Sequence, residues 1–102
     1  MSNVAGSVQF LAALENVIAE RLADAPEGSY TAKLAAKGIV KVAQKVGEEG
    51  VELALAAVAQ DRERVTSEAA DLFYHALLAL ALREIKLTEV MAELERRHAS
   101  RR

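Results

Sequence analysis

The sequence predicts an all-α domain, and three observations carry that expectation. Apolar residues make up 52% of the chain, led by the helix formers Ala and Leu, whereas aromatic residues contribute only 4%. A single Pro occurs among 102 residues, so little interrupts a helical run. Apolar positions recur at three- and four-residue intervals, the period of amphipathic helices rather than of strands. We therefore expect one domain, residues 1–102, built as a bundle of about four helices, with a core small enough to gain from a second copy.

The first helix is expected from about Ser7 to Ala23, where Val8, Leu11, Leu14, Ile18 and Leu22 share a face until "DAPEGS" ends it. Ser29 or Thr31 can cap the second, which continues to about Ala59 with a bend near Gly38 or Gly47. Asp61 suits the N-cap of a third helix running to about Arg83, so 30–59 and 62–84 form the central antiparallel pair. A fourth spans about Leu87 to Ala99 and ends in basic residues that complement the helix dipole. Residues 1–6 and 100–102 are expected to fray.

Composition excludes several function classes. A net charge of -2 without a basic face gives no nucleic-acid surface, and the absence of Cys removes disulfides, thiolate metal sites and thiol nucleophiles. With no signal-like start and no uncharged apolar run of about 18 residues, we expect a cytoplasmic protein outside the membrane.

Two acids stand where apolar residues belong. At about 100° per residue, Val42, Val46, Glu49 and Leu53 fall within an arc of about 60°. Asp71, Leu78 and Leu82 share nearly one line on the third helix, with Glu68 and His75 within about 60° of it. Glu49 and Asp71 are thus expected to face inward. Both lie the same distance from Gln60, as do Glu52 and Glu68, so a hairpin turning there sets Glu49 against Asp71 and Glu52 against Glu68.

Buried carboxylates are costly unless paired or bound to a cation, and no Arg or Lys is expected at their level. An oxygen-only set suits Mg²⁺, with Mn²⁺ a possible substitute. The competing reading pairs these acids with arginines of another helix or subunit. Lys33, Lys37, Lys41 and Lys45 follow one another at i,i+4 toward the acids, an order that opposes the dipole but suits a phosphate chain. Lys41 and Lys45 are the candidates for phosphate contact, and a solvated lysine face is the alternative. His75 and Tyr74 are either substrate-orienting or hydrogen-bonded core residues.

"GEEGVE" followed by "EAAD" resembles the EExxE…ExxD pattern of the MazG-like nucleotide pyrophosphohydrolases, with Glu48, Glu49, Glu52, Glu68 and Asp71 in its positions. "GSYTAKL", "KVGEEGVELALAA", "EAADLFYHALLAL" and "LERRH" resemble, more narrowly, the phosphoribosyl-ATP pyrophosphatase family of histidine biosynthesis, from about Leu11 to His98. Gly50 departs from the bulkier or alanine residue expected there. The resemblance implies a MazG-like bundle and Mg²⁺-dependent hydrolysis of phosphoribosyl-ATP to phosphoribosyl-AMP and pyrophosphate.

Under that reading Glu49, Glu52, Glu68 and Asp71 hold the metal, while Glu48 and Glu49 are candidate catalytic acids. Val40, Val51, Leu55 and Val58 lie away from the Glu49 arc and call for cover, which a homodimer would supply. The alternatives are a MazG-like hydrolase of another nucleoside triphosphate and a non-catalytic helical association module.

Overall fold

The computed structural model describes residues 6–100, with only the backbone of Ser100, and contains five helices. They are α1 (Phe10–Asp24), α2 (Tyr30–Ala36), α3 (Ile39–Ala59), α4 (Arg62–Leu82) and α5 (Leu87–Ser100), with no strand among the described residues. The all-α expectation holds and the architecture agrees with a MazG-like bundle. Fraying was expected at 1–6 and 100–102; Gly6 forms a turn, Ser100 closes α5, and the remainder lies outside the described residues.

Local chemistry sets the boundaries. The residue after α1, Ala25, is left-handed with φ 44°, and Pro26 follows. Ser29 then caps α2, its Oγ accepting from the Ala32 N–H at 3.1 Å. Asp61 caps α4 in the same way, accepting from Arg64 N–H at 2.9 Å. At the start of α5, Glu89 accepts from the Lys86 N–H at 3.0 Å, while Glu15 on α1 accepts from the Leu87 N–H at 2.6 Å and ties the two helices together.

Two boundaries differ from expectation. The first helix begins at Phe10 rather than Ser7, because Ser7 to Gln9 form turns, and Val8 is exposed instead of joining the core. The expected bend at Gly38 is a complete break: its φ of 96° lies where a Cβ is strained, so the 30–59 segment forms two helices rather than one. The count rises from four to five for this reason. Gly47 and Gly50 stay within α3, and a Cβ on either would meet nothing within 4 Å.

Ile18, Leu34, Val42, Leu77 and Leu78 form the buried centre, with Leu14, Leu22, Tyr74 and Leu82 packed around it. The α3 and α4 helices lie antiparallel because only Gln60 and Asp61 join them. By length and composition α4 would suffice to cross a membrane. It instead places Glu68, Asp71 and His75 mid-helix and packs along α3, a disposition unsuited to hydrocarbon.

Candidate active site

The tight α3–α4 hairpin brings acids from two helices together. One carboxylate oxygen each from Glu49, Glu68 and Asp71 lies within 4.8 Å of the others. Glu68 is buried, Glu49 is half-buried and Asp71 is exposed. Glu49 faces inward as expected, but the buried acid of α4 is Glu68 and not Asp71.

A difference in cover explains the exchange. Asp71 shares a line with Leu78, yet the α2 side chains Tyr30 and Thr31 bond to α4 at His75 and Tyr74, one turn further along. Nearer the hairpin tip, Glu68 is buried and pairs with Arg64. Glu52 does not join the three acids. It lies about 80° around α3 from the fully buried Val42, which leaves it exposed.

The acids also have cations at their level, contrary to expectation, and these come from their own helices. Lys45 Nζ stands 3.4 Å from Glu49 and 3.8 Å from the exposed Glu48, whereas Arg64 reaches Glu68 at 2.9 Å. The hydrogen bond to Glu49 holds the Lys45 ammonium above the usual lysine range. Burial opposes that effect, and the charges of Tyr30, Glu49 and Glu48 add to it. Glu48 also accepts from Gln44 Nε2 at 2.9 Å. The cluster thus gathers three carboxylates, two of which, Glu49 and Glu68, are each offset by a cation of their own helix.

The lysine stripe is divided by the break at Gly38. Lys33 and Lys37 are exposed on the α2 side, whereas Lys41 and Lys45 are half-buried on α3, on the approach to the acids.

His75 and Tyr74 join α4 to α2. The Asp71 carbonyl can only accept, so His75 Nδ1–H donates to it at 2.8 Å, and Nε2 meets the Tyr30 hydroxyl at 2.9 Å. Tyr74 shares a short hydrogen bond with Thr31. Burial raises the Tyr74 phenol above its ordinary value, nearby Tyr30 adds to this, and Arg21 opposes it.

Tyr30, Thr31 and Arg64 were absent from the sequence candidates. The i,i+4 spacing from Arg64 to Glu68 was readable. The meeting of "SYT" with "YH", over 40 residues away, has no local signal.

An all-α bundle whose central hairpin gathers three carboxylates beside lysines defines a protein of MazG-like architecture. Residues 11–98 match the phosphoribosyl-ATP pyrophosphohydrolase family. The chain is 50% identical over 92 residues to the phosphoribosyl-ATP pyrophosphatase of Novosphingobium aromaticivorans, covering 90% of this chain and 86% of that one. Identity is 57% over 84 residues with the enzyme of the same name from Metallosphaera sedula, covering 82% and 90%. The histidine biosynthesis bifunctional protein HisIE of Shigella sonnei is 54% identical over 89 residues, covering 87% of this chain but 44% of that protein. The chain belongs to the phosphoribosyl-ATP pyrophosphohydrolase family, and it is an enzyme, a hydrolase.

Proposed function

We propose that this enzyme hydrolyses 1-(5-phosphoribosyl)-ATP to 1-(5-phosphoribosyl)-AMP and pyrophosphate in histidine biosynthesis, in the cytoplasm, with Mg²⁺ as its cofactor. The observation that carries this reading is the meeting of Glu49, Glu68 and Asp71 beside Lys45 in a chain of this family. Residues 1–102 act as one catalytic domain.

The donor set fits the ion. Mg²⁺ takes oxygen ligands at about 2.1 Å in an octahedron, which sets ligand oxygens roughly 3 to 4 Å apart. Three carboxylate oxygens already within 4.8 Å need only small side-chain adjustments to meet that requirement. Glu52, exposed one turn along α3, is the fourth acid assigned to the site. Mn²⁺ shares the preference for oxygen donors and is expected to substitute. When bound, the ion neutralises phosphate charge and makes water more acidic.

The remaining chemistry falls to the side chains. Lys41 and Lys45 hold phosphate oxygens. Glu48, or Glu49 itself, receives the proton of the water whose oxygen bonds to the α-phosphorus, while the α–β anhydride bond breaks and pyrophosphate departs. Positioning and charge stabilisation supply most of the rate in such a step. Tyr74 and His75 orient substrate through the α2–α4 junction they hold.

We also assign the enzyme a homodimeric state. Val40, Val51, Leu55 and Val58 are all exposed on α3, and Phe73 is exposed on α4. Val40, Gln44, Gly47, Val51, Ala54 and Val58 recur at alternating steps of four and three, the spacing of a helix–helix seam. A second copy packed there would bury an apolar stripe that the single chain leaves in water.

Pyrophosphate release from phosphoribosyl-ATP, ATP and dUTP, with Mg²⁺ or with a chelator, tests the reading. Selective, metal-dependent turnover of phosphoribosyl-ATP is expected, falling at least about 100-fold in Glu49→Gln. Preference for another triphosphate would overturn the substrate, and turnover in chelator would overturn the metal role.

A further inference from the structure

Tyr30 has no part in the metal or phosphate chemistry above, yet two hydrogen bonds fasten it beside the acids. His75 Nδ1–H donates to the Asp71 carbonyl at 2.8 Å, and Nε2 of the neutral ring accepts from the Tyr30 hydroxyl at 2.9 Å. Only these two bonds and one imidazole separate the phenol oxygen from the Asp71 backbone, a span of no more than about 8 Å. Asp71 in turn supplies one of the three clustered carboxylates.

The tether fixes the ring without burying it. His75 is buried and meets Tyr30 edge to face at 88°, with centroids 5.9 Å apart, and the Tyr74 ring lies tilted at 6.2 Å. Tyr30 nevertheless remains 52% exposed. With its proton committed to His75, the hydroxyl has none to donate to a phosphate, so what Tyr30 offers a ligand is its ring. A held aromatic ring loses little freedom on binding, and every nucleotide base has a π-face that can stack on one.

The substrate proposed above has a phosphate chain and a base joined by one ribose. With the chain at the acids and lysines, the base comes within reach of Tyr30. That base differs from the adenine of ATP in carrying a second ribose on N1. Alkylation there makes the adjoining exocyclic nitrogen basic, and the protonated base is a flat cation. The electron-rich face of a phenol attracts such a ring more than a neutral one.

We propose that Tyr30 is a specificity-determining residue whose ring, held by His75, stacks on the substrate base and favours a purine alkylated at N1 over ordinary adenine. This role rests on the reaction proposed above and adds the means by which the site tells phosphoribosyl-ATP from ATP.

Titration calorimetry in Mg²⁺ with AMP and with 1-methyladenosine 5′-monophosphate tests it without turnover, using the full chain and its Tyr30→Leu, Tyr30→Phe and Tyr30→Trp variants. Thermal melting verifies that each is folded. The parent should bind the methylated nucleotide about fivefold more tightly than AMP, the scale of one cation–π contact. Tyr30→Leu should abolish that preference. Tyr30→Phe should keep most of it, because the ring remains although the bond to His75 is lost. Tyr30→Trp adds an indole to a chain that has none, and its emission should be quenched more by the methylated nucleotide than by AMP.

A preference that survives in Tyr30→Leu, one lost equally in Tyr30→Phe, or an indole emission that responds to neither nucleotide would overturn the role of the ring. A parent that turns over phosphoribosyl-ATP selectively but binds both nucleotides equally, or neither, would overturn this role and leave the proposed reaction standing. A parent without that turnover would overturn both.

Discussion

Lys45 and Arg64 each stand four residues ahead of an acid that they neutralise, and this repeated pairing lets three carboxylates approach one another without metal. Both pairs run cation before anion, the less favourable order for helix stability, so their placement is better explained by the site than by the helix. At the same scale Tyr74 makes a pH prediction. Its phenol is raised above 10.0 chiefly by burial, with Tyr30 adding and Arg21 opposing. The unfolded chain therefore releases this proton at lower pH than the folded one. Its contribution to stability is complete below pH 10 and declines as pH rises through the folded value. The denaturant midpoint should fall more steeply above pH 10 in the parent than in Tyr74→Phe; parallel curves would contradict the assignment.

Among the elements, the glycines of the α2–α3 segment divide into two kinds. Gly38 has φ 96°, so Gly38→Ala is strained by backbone alone and should cost about 1–2 kcal/mol. Gly47 is helical with open space at its missing Cβ, so Gly47→Ala should raise helix stability by up to about 1 kcal/mol in the single chain. Denaturant unfolding at low protein concentration would check both signs.

The sequence made the all-α class, the Ser29 and Asp61 caps and the hairpin turn legible, because each is written in neighbouring residues. It left open whether Gly38 bends or breaks the helix, since composition does not specify φ. The equal distances from Gln60 set Glu49 against Asp71, as the structure has them, but also placed Glu52 with Glu68, whereas Glu52 stays outside the three acids, and the helical arc turned Asp71 inward although it is exposed. Burial varies along a helix with what covers each level, and a helical wheel discards that information. The contacts of Tyr30 with His75 and of Thr31 with Tyr74 were not legible because these partners are distant in sequence.

For the whole molecule, the exposed stripe on α3 bears on assembly. Val51 and Val58 are exposed in the single chain, so Val51→Asp should leave its fold intact while opposing self-association. Light scattering should give a dimer for the parent and a monomer for the variant; a parent that remains monomeric at high concentration would contradict the proposed seam. The metal claim ties the three scales together, because it gives the ion pairs, the hairpin and the family chemistry one purpose. Anomalous diffraction from crystals soaked in Mn²⁺ tests it most directly. A peak between the carboxylates of Glu49, Glu68 and Asp71, with Lys45 displaced from Glu49, is expected; a cluster that binds no Mn²⁺ and keeps both ion pairs would contradict the metal role.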